Sequence, residues 1–197
     1  MGSTLVVITP PDEPVPSVEE VKAHLRQDFD DDDADIESKI WGAITEFEDP
    51  ELGFLGRSML PRLVELRLDG FCGSEIALPG GPLLTDPDAE PVILYDDADG
   101  VEQTLVGTVY RIVDGENASK CRVLLKSGQS WPVVSGEEQC IRIRYWVGYP
   151  ASDIRLNNFK SAVKLHVEMT FDGPTDEERA RLKDTIYRLL QPYRVYR

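Results

Sequence analysis

Apolar and polar positions along the chain change period twice, from helical spacing to alternation and back again. Val18, Val21 and Leu25 recur at three- and four-residue intervals behind Ser17-Val18-Glu19-Glu20. That tetrapeptide has the form of a capping box, with the serine accepting from the first turn and Glu20 reaching back, and it predicts a short helix through about Gln27. Ile36, Ile40, Ile44 and Phe47, flanked by Trp41 and Ala43, repeat the spacing and predict a second helix that ends before Pro50. The aspartates just before it are good N-caps, and two helices joined by a short polar loop make an αα-hairpin. Ahead of both, Pro10, Pro11, Pro14 and Pro16 make residues 1–16 an expected extended arm, outside any compact element and able to reach a neighbour.

From Val64 the period is two. Val64, Leu66 and Leu68 alternate with Glu65, Arg67 and Asp69, the mark of a half-buried strand. Residues 75–78, 92–95, 103–113, 121–125 and 139–147 are further strands on the same reading. Gly80-Gly81-Pro82, Asp99-Gly100, Asp114-Gly115 and Ser127-Gly128 supply turns between them. The middle of the chain is therefore expected to be an antiparallel β sub-domain.

After Pro150 the helical period returns through Ile154, Phe159, Ala162, Val163, Val167 and Phe171, with Asp153 as the expected cap. Gly173-Pro174 breaks the chain, and Thr175-Asp176-Glu177-Glu178 opens a last helix through Leu182, Ile186, Leu189 and Leu190 that Pro192 ends. The expected division is an arm over 1–16, a helical pair over 17–58, a β sub-domain over 59–150, a second helical pair over 151–191 and a tail over 192–197. This is an α+β chain, a helical bundle with the β sub-domain inserted between its two pairs.

Charge narrows what such a body does. The 197 residues carry 36 Asp and Glu against 21 Lys and Arg, a formal net charge of −15. Tight phosphate binding needs cations to release counterions, so this balance argues against nucleic-acid recognition. The charge is also uneven: residues 1–53 hold fifteen acids and three bases, whereas residues 179–197 hold six bases and Asp184 alone. Ends of opposite sign suit subunits or partners that meet by complementarity, although a solvated acidic surface and a helix end with a favourable dipole would leave the same composition. No apolar run approaches the ~20 residues of a membrane span. The start lacks the features of a secretory signal, so the chain is expected to fold in a cytoplasm.

Candidate chemistry is thin. Cys72, Cys121 and Cys140 are widely spaced, form no C-x-x-C pair and read as buried small hydrophobes. His24 and His166 are the two histidines; His24 reads as a structural or surface residue, and any catalyst would rely on carboxylates. Asp96-Asp97-Ala98-Asp99-Gly100 reads as a hairpin turn, with a calcium loop as the alternative; the acid an EF-hand requires is missing, since Thr108 falls at that position. Asp30, Asp31, Asp32, Asp33 and Asp35 read as a solvated loop with capping ends in preference to a metal cluster. No nucleophile elbow, phosphate loop or dinucleotide fingerprint occurs, so no catalytic residue, metal or cofactor is expected. The basic, aromatic end from Tyr187 to Arg197 reads as a protein-docking segment or as a frayed terminus.

The order of these pieces resembles the head-tail connector (adaptor) family of tailed bacteriophages and gene transfer agents, in the branch with a β insertion between two helical pairs. The resemblance is carried by the run from Pro16 to Arg26, the Asp-rich loop, Gly56-Arg57, Leu78-Pro79 with Pro82, the run from Tyr95 to Gly100, Trp131-Pro132, and Tyr145-Trp146-Val147-Gly148-Tyr149. It implies a non-enzymatic virion protein of the particle neck, made in the host cytoplasm, that forms a ring of twelve subunits below the portal. It also implies a stopper or tail terminator as the next partner, with double-stranded DNA passing through the lumen without sequence-specific binding. On the same resemblance Tyr187, Tyr193, Arg194, Tyr196 and Arg197 would contact the portal protein. The acidic loop Asp30 to Asp35 would face the lumen or a partner-facing rim. Alternatives are a stopper or tail-completion protein, which the two helical pairs disfavour, and a calcium- or carbohydrate-binding β module.

Overall fold

A computed structural model of the chain describes residues 2–49, 52–84, 90–114, 120–171 and 173–195. The fold is α+β, with antiparallel sheets and four α-helices, and it separates into two compact units. Met1–Pro10 and Pro61–Gly148 form one; Pro11–Leu60 and Tyr149–Arg197 form the other.

The β unit holds two sheets. Strands β1 (Ser3–Thr9), β2 (Arg62–Leu68), β8 (Ile141–Val147), β4 (Val92–Asp96) and β5 (Glu102–Thr104) make a five-stranded antiparallel sheet in that order. Strands β3 (Glu75–Ala77), β7 (Arg122–Leu125) and β6 (Tyr110–Val113) make a second, three-stranded one. Register pairs Leu66 with Ile143 and Val64 with Tyr145, so one face of the larger sheet puts Val64, Leu66, Ile93, Ile141, Ile143 and Tyr145 into the unit's core. On β2 and β8 the intervening positions are charged. Glu65 is buried there between Arg144 Nε at 2.6 Å and Arg67 Nε at 2.8 Å. Arg142 bridges Asp96 at 2.6 Å and Glu102 at 3.0 Å. Burial raises the Glu65 carboxyl, but the two guanidinium groups outweigh it and hold it below the usual range.

Three sequence expectations change here. Residues 3–9 are not a free arm: their Thr, Val and Ile side chains favour the pleated conformation, and β1 pairs along β2 from Ser3↔Leu68 to Thr9↔Leu63. The prolines that suggested an arm begin only at Pro10, where the strand stops. The expected strand 103–113 is two strands in different sheets. A turn closed by Val109 N–H donating to the Val106 carbonyl at 3.0 Å separates them. Cys121 and Cys140 are buried as expected, but Cys72 is exposed in the loop after β2.

The helical unit contains α1 (Val18–Leu25), α2 (Asp33–Glu48), α3 (Leu156–Phe171) and α4 (Asp176–Leu190), followed by a 3₁₀ turn, Gln191–Tyr193. Both capping boxes are present: Glu20 N–H donates to Ser17 Oγ at 3.3 Å, and Glu178 N–H to Thr175 Oγ1 at 3.3 Å. Asp32 occupies the N-cap of α2 without a side-chain cap bond. Helix α3 starts two residues later than Ile154, which is exposed and adds nothing to the apolar face. One core joins all four helices through Val21, Ile36, Ile40, Phe159, Val163 and Ile186, among others. Burying side chains of this size stabilises by about 1.5–3 kcal/mol each.

Candidate functional site

The segment after α2 builds the surface on which the C terminus lies. Glu48, fully buried at the last turn of α2, accepts the N–H groups of Met59 at 2.6 Å and Leu60 at 2.8 Å, folding residues 52–60 back over the helix end. Phe54 and Leu55 N–H groups donate to the Glu46 and Phe47 carbonyls at 2.9 and 2.8 Å. Gly56 follows at φ +62, an angle that favours glycine, and a Cβ there would stand 3.1 Å from the Val195 carbonyl oxygen, a tight contact. Arg57 is buried, with its guanidinium against Tyr149: Nη2 donates to the tyrosine hydroxyl, while the Arg155 guanidinium lies 4.1 Å over the same ring.

Onto this segment the C-terminal residues pack as an ordered stripe. The Tyr187 ring lies 5.0 Å from Phe54, and the Arg194 guanidinium sits 4.6 Å over Phe54 on its way past. Tyr193 packs against the helical core and its hydroxyl accepts from Asn158 Nδ2 at 3.1 Å. Val195 N–H donates to the Leu55 carbonyl at 2.9 Å. Of the five residues expected to meet a partner, the structure brings Tyr187, Tyr193 and Arg194 together; Tyr196 and Arg197 lie outside the described residues. Tyr187 is 38% exposed and Arg194 is exposed. Phe54, Gly56 and Asn158 complete this surface; Gly56 belongs to a pair the resemblance rests on, whereas no period or motif in the sequence marks Phe54 or Asn158.

The acidic turn is a separate patch of the same unit. Lys22 Nζ binds Asp30 at 2.5 Å and Asp33 at 2.7 Å, and these partners push it up to about 12. Asp35 pairs with Lys39 at 2.6 Å. Asp31 and Asp32 are exposed and enter no ion pair among the described residues, and Phe29 stands 73% exposed beside them. His24 is bonded to Glu168 at 2.9 Å across α1 and α3.

In the β unit the Asp97 carboxylate serves its own turn. It accepts from Asp99 N–H and Val101 N–H at 3.0 Å each and from Gln103 Nε2 at 2.9 Å, and these bonds hold it below the usual carboxylate range. Among the described residues no group of three or more His, Cys, Asp or Glu is placed to hold a metal ion. No described helix is long and apolar enough to cross a membrane.

No protein-family model matches the chain, and no curated protein matches it. Solved structures do. A chain of the neck of an empty GTA particle, computed with C6 symmetry, is similar over 98% of this chain and 96% of its own length, with a TM-score of 0.74 and 22% identity. A chain of the virion of a native gene transfer agent (GTA) particle is similar over the same shares, with a TM-score of 0.71 and 22% identity. The chain therefore shares its fold, end to end, with a chain from the neck of a gene transfer agent particle.

Proposed function

We propose that the chain is the head-tail connector (adaptor) of a tailed phage or gene transfer agent, a structural virion protein without catalytic activity. The observation that carries this reading is the likeness to a chain of the GTA neck over 98% of this sequence, both units included. In this reading the four helices form the connector body, and residues 61–148 of the β unit are an insertion between its two helical pairs, with β1 added to their sheet from ahead of the first pair. Copies form a closed ring of twelve in the neck, below the portal, and hand on to a stopper or tail terminator. The C6 symmetry of the similar neck is compatible with such a ring.

The exposed Tyr187 and Arg194, with Tyr193, Tyr196 and Arg197, form the portal contact. Tyr and Arg anchor interfaces because each buries a large, geometrically defined group at modest entropic cost. Double-stranded DNA passes through the lumen, and the net charge of −15 repels phosphates so that the duplex slides without sticking. The acidic loop Asp30 to Asp35 lies at the lumen or at a rim that faces a partner.

Cryo-electron microscopy of intact particles tests the assignment. A ring of this chain between portal and tail is expected; particles whose neck holds no density for it would end the proposal.

A further inference from the structure

Helix α4 is a helix without enough neighbours. Every residue from Asp176 to Thr185 except Leu182 is exposed, and only Ile186 and Leu190 are buried along its whole length. Its C-terminal half turns Ile186, Leu189 and Leu190 to the core, and its first ten residues offer a charged, exposed surface. Arg179 and Lys183, one turn apart on one face, enter no ion pair among the described residues; Lys183 Nζ lies 5.8 Å over the Tyr187 ring. Asp176 is the single acid on that face. Beside Arg179, an open groove of about 270 Å³ is lined by Met169, Thr170 and Gly173.

The complementary surface is in the same unit. The turn between α1 and α2 exposes Asp31, Asp32 and the aromatic ring of Phe29. An exposed phenylalanine ring is chemically complementary to a groove walled by a methionine and a guanidinium. Both surfaces adjoin the last turn of α3, the acidic turn through Glu168 and the Arg179 groove through Met169 and Thr170. The bond from His24, in the last turn of α1, to Glu168 places the acidic turn at the C-terminal end of α3, and α4 departs from that end. They lie on different flanks as well, because α1 and α2 pack on α3 whereas α4 packs on α3 without comparable packing on α1 or α2. Two surfaces of opposite sign, both beside the last turn of α3 and on different flanks, are what a head-to-tail contact between identical copies requires, and a head-to-tail contact closes into a ring when its rotation closes.

We propose that the acidic α1–α2 turn of one copy docks on the Arg179–Lys183 face of α4 in the next, with Phe29 entering the groove lined by Met169, Thr170, Gly173 and Arg179. This rests on the ring reading above, names the contact that forms it, and takes the second of the two placements of the acidic loop, facing a partner, the next copy, in place of the lumen. The occupant is a second copy of this chain, because the acid and the aromatic that match α4 are on the chain itself.

Charge reversal in the full-length chain, scored by mass photometry in solution and by cryo-electron microscopy of particles, tests the contact. The wild type is expected to form rings at low salt and to release them as salt rises. R179E/K183E and D31K/D32K, each still helical by circular dichroism, are each expected to raise the concentration for assembly on the order of 100-fold, since like charges face each other across the contact. An equimolar mixture of the two is expected to recover rings, with the variants alternating. F29A is expected to weaken assembly without changing its salt dependence. Rings that survive both reversals, or a mixture that recovers nothing, would overturn this contact and leave the ring reading standing. A wild-type chain that forms no ring in solution and none in particles would remove the ring reading and this contact together.

Discussion

Val195 hands its N–H to the Leu55 carbonyl at 2.9 Å, while Leu55 hands its own to Phe47 at the end of α2 at 2.8 Å. The C-terminal residues are thus bonded, through one intermediate residue, to the last turn of a core helix. In the proposed portal contact, the residues up to Val195 are therefore part of the subunit's surface before any partner arrives. Little ordering entropy then remains to oppose binding.

Removal of residues 193–197 is expected to do two things. It should weaken co-purification with the portal protein, and it should lower unfolding free energy by about 2 kcal/mol, from one backbone hydrogen bond, one cation–π contact and part of a tyrosine. Urea titration measures the second effect. Arg194→Ala, which leaves the Val195 bond in place, is expected to reduce portal binding by about tenfold with a smaller change in stability. Unchanged portal binding in both variants would remove the portal role from this surface.

Glu48 is expected to be among the most sensitive polar positions. Glu48→Ala deprives two buried N–H groups, those of Met59 and Leu60, of their acceptor, at a cost of about 3 kcal/mol. Because the same segment carries Phe54 and Leu55, this variant should also loosen the C terminus. Hydrogen exchange at Val195 reads that directly.

Stability should fall on the acid side in two steps. Burial lowers His166 below its ordinary 6.5, and Glu46, 3.8 Å away, only partly offsets this, so the fold favours the neutral ring. A base with a lowered pKa contributes stability above its unfolded value and loses it as pH drops below about 6.5. Glu65 has a carboxyl lowered from 4.5 and contributes stability above that value, lost as pH falls through its folded pKa. Urea midpoints across pH 3 to 8 are expected to show both steps, to lose the upper one in His166→Asn, and to lose only part of the lower one in Glu65→Gln, at reduced neutral-pH stability, because other lowered carboxyls such as Asp96 and Asp97 share it.

Calcium is expected to give no heat on titration into the protein, because the Asp97 carboxylate already accepts three bonds within its turn. A saturable heat that vanishes in Asp97→Ala would revive a calcium-binding β module.

The local signals in the sequence carried far. Ser17-Glu20 and Thr175-Glu178 marked two helix starts because a capping box is a four-residue device that needs no distant partner. The period of Ile36, Ile40, Ile44 and Phe47 marked a buried helical stripe for the same reason. What sequence could not supply was the choice of partner strand. Residues 3–9 have strand-forming side chains, but only their pairing with β2, some sixty residues on, makes them a sheet edge in place of an arm. Residues 103–113 have one continuous pattern, yet their halves pair with β4 and β7 in different sheets.

The candidate site divides the same way. Composition and sequence order determined that this is an acidic α+β chain with a basic, aromatic end, since charge and period are properties of neighbouring residues. Only the tertiary structure decided that Phe54 holds Tyr187 and Arg194 and Asn158 holds Tyr193, and that Arg179 and Lys183 of α4 enter no ion pair among the described residues. Those facts depend on which side chains long-range packing brings within a few ångströms, and such distances are not encoded in any local pattern.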